Sequence, residues 1–346
     1  MKIFLSQHHE QHAPPYCLAD GGVHAAYFES PQRIEHVLNS LGKTSWAKIE
    51  APSDFGLDPI LAVHDRAYVE FLRDAFDHWI KYGAELGLDY VGPILTPATF
   101  IPRRANARLP ESFHGRLGYY GTDTNAPIVA GTFAAALQSA HCSVAAAQAV
   151  RDGARVAFSL ARPPGHHAGR DYNGGFCYLN NASIAATWLS KTHRVAILDI
   201  DFHVGNGSQD IFYNSSQVLT VSIHGDPRYF YPSFIGYADE RGSGEGLGFH
   251  RNFPLSAGVA DAHYLEVLSE ALREVQAFEP TALVLSAGMD ILAGDPFGGF
   301  EITMAGLSKI GQNISALKLP TVICMEGGYN HAALGEGFRV LLETFN

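Results

Sequence analysis

Two aspartates and a histidine stand at alternate positions where an apolar run ends. Residues 195–198 predict a buried strand, and Asp199, Asp201 and His203 follow it directly. Because successive side chains of a strand point to opposite faces, these three would share one face. Burying two neighbouring carboxylates is costly unless a positive charge lies between them. With the distant Asp290, Asp201 and His203 make a zinc site that leaves one position for water, and Asp199 would orient a ligand or base from behind.

Two other short segments carry groups that could move protons or stabilise charge. His166 and His167 follow the stiff turn at 163–165, and two adjacent imidazoles can divide general-base and general-acid work if different partners separate their pKa values. Tyr329 follows the glycines of "MEGGY", where its phenol could donate a hydrogen bond to a developing oxyanion. Motifs of competing chemistries, GxSxG and GxxxxGK[ST], do not occur.

Apolar runs typical of strands alternate along the chain with patterns typical of helices. Strands are predicted at 2–5, 155–160, 194–200, 218–223, 281–286 and 320–325, and helices near 31–41, 66–82, 132–151, 180–190, 261–277 and 303–316. This alternation favours a mostly parallel sheet with helices on both faces, in which ligands bind beyond the carboxyl ends of the strands. Polar segments follow the strands at that edge, so we expect them to meet in one cleft: "RPPGHHAG", "DIDFHVGNG", "SIHGD", "SAGMD" and "MEGGY".

Composition excludes some classes of protein and favours others. The 346 residues carry a formal net charge of −11, which argues against a nucleic-acid partner and weakly favours a small cationic one. The four scattered cysteines indicate a reducing compartment, and we expect the cytoplasm. The N-terminus predicts a first strand and not a signal peptide, and polar residues interrupt the Ala-rich stretch 133–150, which excludes a membrane span. The proline-containing loop predicted at 84–118 is long enough to serve a binding site or an interface.

The order and content of the motifs resemble a known family. "RPPGHHAG", "LDIDFHVGNGSQDIFY", "SIHGDP", "SAGMDILAGDP" and "MEGGY" resemble the arginase–deacetylase superfamily, and within it the zinc-dependent histone deacetylase family. The segments "GRLGYYGTDTNAPIVAGT" and "YPSFIGYADERGSGEG" are most similar to the bacterial acetylpolyamine amidohydrolases of that family. The resemblance implies an α/β fold with three αβα layers and a mostly parallel central sheet, formed by one catalytic domain over residues 1–346.

The resemblance also implies roles for individual residues. The zinc ligands would be Asp201, His203 and Asp290. The catalytic groups would be His166 and His167, backed by Asp199 and Asn206, together with Tyr329. A narrow tunnel would be lined by Gly175, Phe176, Tyr231 and Phe297. A structural potassium ion would be held by Asp199, Ser222 and the backbone carbonyls of Asp201, His203 and Ile223.

Some positions depart from the family pattern. The second histidine that usually follows the zinc-binding one is Val204 here, from which we expect a changed pocket wall. The polyamine enzymes carry acidic residues at the tunnel mouth, and the corresponding positions hold Leu18, His114 and Asn125. His114 is therefore counted among the substrate-binding residues, and the acids that could take over the missing charge are Asp20, Glu111 and Asp123.

We expect a zinc amidohydrolase that deacetylates acylated primary amines, with acetylated polyamines or diamines as substrates. The alternatives are an ε-N-acetyl-lysine deacetylase, a two-metal arginase-like ureohydrolase and a catalytically silent acyl-amine binder. The resemblance further implies a homodimer, in which the 84–118 loop pairs the subunits and narrows the entrance to the active site.

Overall fold

The centre of the molecule is an eight-stranded sheet whose neighbouring strands are all parallel. The computed structural model describes residues 1–19, 23–89, 91–102 and 106–346. In spatial order the strands are β4 (Lys48–Glu50), β1 (Lys2–Phe4), β5 (Val156–Ser159), β10 (Thr321–Met325), β9 (Ala282–Ala287), β6 (Val195–Asp199), β7 (Val218–Gly225) and β8 (His250–Leu255). Since every strand runs the same way, all the carboxyl ends lie at one edge.

Helices cover both faces of this sheet. The described helices are α1 (Gln32–Leu41), α2 (Asp58–Leu61), α3 (Arg66–Glu85), α4 (Phe113–Tyr120), α5 (Thr132–Arg151), α6 (Asn181–Leu189), α7 (Asn206–Phe212), α8 (Asp261–Ala277), α9 (Met304–Ser315) and α10 (His331–Glu343). Ala196 and Leu198 of β6 pack in one core with α1, α8, α9 and α10. Val195 and Ile197 point the other way and pack with α5 and α6. The alternation of side chains along β6 therefore produces the expected three αβα layers.

Two smaller features flank the main sheet. Strands β2 (Cys17–Ala19) and β3 (Val23–Ala25) form an antiparallel pair. Helices α3 and α4 pack together around Tyr68, Phe71 and Tyr120 in a separate apolar cluster. The loop predicted at 84–118 is shorter than expected, because α3 continues to Glu85 and α4 already begins at Phe113.

All six predicted strands and all six predicted helices are present, whereas several other elements had no clear sequence signal. The edge strands β4 and β8 and the helices α2, α4, α7 and α10 were not predicted. Ala-rich α5 is buried on most of its surface, where its small side chains allow close packing against α6 and the sheet. Among the described helices, none has the length and apolar character needed to cross a membrane.

Candidate active site

Asp201, His203 and Asp290 meet beyond the carboxyl ends of β6 and β9. Their potential ligand atoms all lie within 4.8 Å of one another. Nδ1 of His203 is 3.1 Å from Oδ2 of Asp290 and 3.4 Å from Oδ1 of Asp201. The N–H of Gly327 donates to Oδ2 of Asp201 at 2.7 Å, and the N–H of Phe202 donates to Oδ1 of Asp290 at 2.9 Å. Backbone donors therefore fix the orientation of both carboxylates.

The electrostatics of these three residues indicate a shortage of positive charge. Burial, followed by the negative charge of Asp201, raises the pKa of Asp290 to about 7. Burial acts in the same direction on Asp201, but the charge of His166 and the hydrogen bonds from His203 outweigh it and hold the pKa of Asp201 below its ordinary value. Two buried carboxylates this close can both ionise only beside a cation. The donor set and its charge therefore fit a divalent metal ion.

His166 and His167 lie side by side in the segment after β5, with ring centroids 4.0 Å apart. Nδ1 of His166 is 2.9 Å from Oδ2 of Asp199, and Nδ1 of His167 is 2.6 Å from Oδ1 of Asn206. The amide of Asn180, the residue that caps α6, donates to the carbonyl of Ala168 at 2.9 Å and ties the end of this segment down. The structure thus brings each histidine to the partner that the sequence analysis assigned to it.

The two imidazoles differ in their preferred charge. Burial disfavours the charged form of His166, but the negative charges of Asp201 and Asp199 outweigh it and raise its pKa well above the ordinary value. Burial and the neighbouring His166 and His203 lower the pKa of His167 well below the ordinary value. The surroundings thus favour the protonated form of one imidazole and the neutral form of the other, which is the division that acid–base catalysis needs.

A cavity of about 240 Å³ leads to these groups. Its lining consists of Asn125, Pro164, His166, His167, Gly175, Phe176, Asp201, His203, Tyr231, Phe297, Gly327 and Tyr329. The Phe176 ring packs beside Tyr329 and Phe297, with centroids 5.5 and 6.0 Å away, whereas the Tyr231 ring stands edge-on to His167 at 4.9 Å. Two aromatic walls therefore enclose the approach to the metal ligands.

The turn that carries Phe176 has an unusual backbone. Gly175 and Phe176 both have a positive φ, of 52° and 67°. A bulky residue in this region is strained and persists only where its surroundings hold it. Backbone hydrogen bonds between Gly174 and Cys177, of 2.9 and 3.1 Å, close the turn on either side of Phe176. The Phe176 wall is thus held in place by its own turn.

Three expectations about the pocket need correction. His114 lies exposed on α4, where its ring packs 4.3 Å from that of Tyr82, and it does not line the cavity of its own chain. Glu111 is exposed near the start of the same helix and borders a separate surface depression. Val204 is buried close to Gly236 and is not part of the pocket wall. Asp20 lies outside the described residues.

Two acidic residues stabilise the site through contacts that the sequence did not predict. Oε2 of buried Glu326 accepts hydrogen bonds from the N–H groups of Gly165 and His166, at 2.8 and 3.1 Å. Its position directly after an apolar strand, like that of Asp199, was an available signal. The second acid, Asp123, accepts a hydrogen bond from Tyr231 at 2.6 Å, and nothing in its local sequence indicates this contact.

The remaining metal-site expectation concerns potassium. In the register of β6 and β7, Asp199 is the neighbour of Ser222, and both residues are buried. Ile223 follows in β7 and is also buried. The Ser222 hydroxyl lies 2.7 Å from Nδ1 of His224. Asp199 and Ser222 are therefore neighbours on adjacent buried strands, and the potassium site itself stays a prediction.

The fold of the chain is shared with known deacetylase domains. In this chain the candidate metal ligands, the histidine pair and Tyr329 lie at the carboxyl edge of a parallel sheet. Residues 27–345 match the model of the histone deacetylase domain, and the chain belongs to this family.

Individual relatives match over most of their length. The chain is 42% identical to "Acetylpolyamine amidohydrolase 2" of Pseudomonas aeruginosa over 94% of this chain and 93% of that protein. It is 45% identical to "Acetylpolyamine amidohydrolase" of Burkholderia pseudomallei over 86% and 85% of the two chains. The crystal structure of an acetylpolyamine aminohydrolase from Burkholderia pseudomallei superposes with a TM-score of 0.93 at 40% identity, covering 100% of this chain and 98% of that one.

Proposed function

We propose that the chain is a zinc-dependent amidohydrolase that removes the acetyl group from acetylated polyamines and diamines. The observation that carries the proposal is that one narrow cavity is lined by a metal-ligand set, two imidazoles of opposite charge preference and Tyr329. The relatives named acetylpolyamine amidohydrolase support this substrate class.

Asp201, His203 and Asp290 would hold the zinc ion. The set of two carboxylates and one imidazole suits zinc and leaves a coordination position for substrate or water. Gly288 and Gly327 border the Asp201 carboxylate so closely that a Cβ atom at either position would collide with it. When bound, zinc polarises a carbonyl group and lowers the pKa of a water molecule towards ~7.

The histidine pair would move the protons of the reaction. The neutral form of His167 is favoured and its ring is held by Asn206, so it can accept a proton from the attacking water. Asp199 favours the protonated form of His166, so the pair can return a proton to the leaving amine. The Tyr329 phenol lines the same cavity and would donate to the oxygen of the amide carbonyl as negative charge develops there.

The walls of the cavity would select the substrate. Phe176, Tyr231 and Phe297 offer apolar surface to a methylene chain, and Gly175 allows the chain to pass close to the backbone. Asn125, also in the lining, offers a neutral amide where the family pattern has an acid. We therefore expect small acetylated diamines to be preferred over acetyl-lysine in proteins.

Three further features belong to this proposal. Potassium bound by Asp199, Ser222 and carbonyl oxygens such as that of Ile223 would add positive charge below the zinc ligands. The single catalytic domain over 1–346 would form a homodimer through the 84–118 region. A cytoplasmic location is supported by the cysteines, all four of which are buried as free thiols.

The decisive experiment is steady-state kinetics of the zinc-loaded protein on a panel of substrates. The panel contains acetylputrescine, acetylcadaverine, acetylspermidine and an acetyl-lysine peptide, with arginine as the ureohydrolase control. We expect the highest kcat/KM for the acetylated diamines. A ten-fold preference for the peptide would overturn the substrate class, and an absence of hydrolysis throughout the panel would overturn the proposed activity.

A further inference from the structure

We propose that Asp123 is a specificity-determining residue, because its carboxylate ties Tyr231 to the turn of Phe176 and thereby fixes the width of the substrate channel. The inference rests on the proposed function, because it concerns the shape of the acetylated amine that the channel accepts. The channel admits an unbranched methylene chain and rejects one that is branched close to the amide.

One carboxylate oxygen joins the two walls of the channel. Oδ2 of Asp123 accepts a hydrogen bond from the Tyr231 hydroxyl at 2.6 Å and another from the N–H of Gly175 at 2.8 Å. Gly175 immediately precedes Phe176, and Tyr231 lies in the segment between β7 and β8. Two hydrogen bonds to a single oxygen atom therefore link the two aromatic walls.

Asp123 is anchored independently of Tyr231. Oδ1 of Asp123 accepts from the N–H of Asn125 at 2.8 Å. On one side, the N–H and hydroxyl of Thr122 both donate to the carbonyl of Asn173, at 3.0 and 2.9 Å. On the other side, the Thr124 hydroxyl donates to the carbonyl of Leu18 at 2.5 Å. Asp123 is thus the fixed partner, and Tyr231 is the wall that would move if the hydrogen bond were lost.

Part of the segment that carries Tyr231 faces the solvent. Tyr229 is 75% exposed and Phe234 is 64% exposed. The Tyr231 ring itself reaches inward and stands edge-on to His167. Burial, followed by the negative charge of Asp123, raises the pKa of the Tyr231 phenol well above its ordinary value, so the hydroxyl keeps the proton that it donates.

The same contact explains why Asp123 does not act as a free acid at the channel mouth. Its Oδ2 is already shared by Tyr231 and Gly175, and its Oδ1 accepts from Asn125. A substrate ammonium would have to displace these donors before it could bind the carboxylate. Asp123 therefore determines which shape of substrate chain the channel accepts, whereas other residues bind the substrate ammonium.

The test compares two acetylated amines that differ by one methyl group. They are N-acetyl-1,5-diaminopentane and its analogue with a methyl on the carbon next to the one that bears the acetylated nitrogen. The variants are Tyr231→Phe, which keeps the ring and removes the hydroxyl, and Asp123→Asn, which keeps a neutral acceptor. The matched control is Tyr237→Phe in the same segment, because the Tyr237 hydroxyl donates only outward, to the carbonyl of Ser233 at 3.1 Å.

The wild type should prefer the straight substrate. In Tyr231→Phe the ratio of kcat/KM for straight over branched substrate should fall by about ten-fold, the size expected for one hydrogen bond to a charged group. The fall should come from a higher KM for the straight chain and a lower KM for the branched one. Asp123→Asn should show a smaller fall, and Tyr237→Phe should keep the wild-type ratio. An unchanged ratio in Tyr231→Phe, or an equal loss on both substrates, would overturn the inference.

A binding measurement separates this inference from the proposed function. Calorimetry of the zinc-loaded protein with hexanohydroxamic acid and its 3-methyl analogue reports the channel width without any hydrolysis. If wild type hydrolyses neither acetylated amine but Tyr231→Phe still loses its preference for the straight hydroxamate, the proposed function fails and the inference stands. If the wild type binds both hydroxamates equally, the inference fails whatever the hydrolysis shows.

Discussion

Replacing Tyr329 with phenylalanine removes one hydroxyl and keeps the contacts that hold the residue in place. The N–H of Tyr329 donates to Oδ2 of Asp295 at 2.6 Å, and the Arg33 guanidinium lies 4.9 Å from the ring centroid. The ring also packs beside Phe176 and Phe297, with centroids 5.5 and 4.9 Å away. Because none of these contacts uses the hydroxyl, the phenylalanine ring should keep its position. The substitution then removes only a donor to the amide oxygen.

The expected loss follows from the role of that donor. One donor to a developing oxyanion contributes about 10²–10³ in kcat, or about 2.7–4 kcal/mol of transition-state stabilisation. Acetylcadaverine hydrolysis by Tyr329→Phe should therefore slow about 100-fold or more, with zinc content and Tm unchanged. The matched control is Tyr264→Phe, since the described residues offer the buried Tyr264 hydroxyl no hydrogen-bond partner. The control should keep full activity and lose no stability. A Tyr329→Phe enzyme within three-fold of wild type would refute the assignment.

Four other predictions test the site and its surroundings. Asp290→Ala should lose tight zinc binding, and one full equivalent of zinc by elemental analysis would contradict the ligand assignment. Asn125→Glu should raise kcat/KM for acetylcadaverine by up to about five-fold, which corresponds to the free energy of one exposed ion pair. An equally large gain in His114→Glu would show that the distal ammonium of the substrate is not bound at position 125. Light scattering at micromolar concentration should show a dimer, and a monomer would contradict this prediction. Deletion within 84–118 should improve the turnover of acetyl-lysine peptides. Burial lowers the pKa of His64 to about 4. The stability that the neutral His64 side chain contributes is therefore complete above pH 6.5 and is lost as the pH falls towards 4. The free energy of unfolding in urea, measured at pH 7 and 4.5, should depend less on pH in His64→Gln than in wild type.

The sequence predicted the layout of the fold because that layout depends on local patterns. Each of the central strands is a short apolar run whose alternate residues face two cores, as in β6, and helical patterns lie between most of these runs. Such alternation leads to a parallel sheet, and the polar segments after the strands must then lie at one edge. The edge strands β4 and β8 were missed, because they are short or partly exposed and have no continuous apolar run.

The sequence also identified the residues that the structure brings together around the metal triad. Asp199, Asp201 and His203 are neighbours along the chain, so their type and spacing were enough to indicate a shared face. Asp290 lies far along the chain. Two signals indicated it: its own polar segment at a strand end and the family resemblance. The sequence could indicate these residues because the polar side chains of the site are concentrated at the ends of a few strands.

Only the tertiary structure decided which polar groups support the site and which lie elsewhere. Glu326 holds the histidine segment and Asp123 holds Tyr231, although each partner lies more than 100 residues away along the chain. His114, in contrast, turns to Tyr82 and away from the cavity. The cause is the same in each case: a hydrogen bond or ring contact depends on where separate segments pack against each other, and no local pattern of residues records that arrangement.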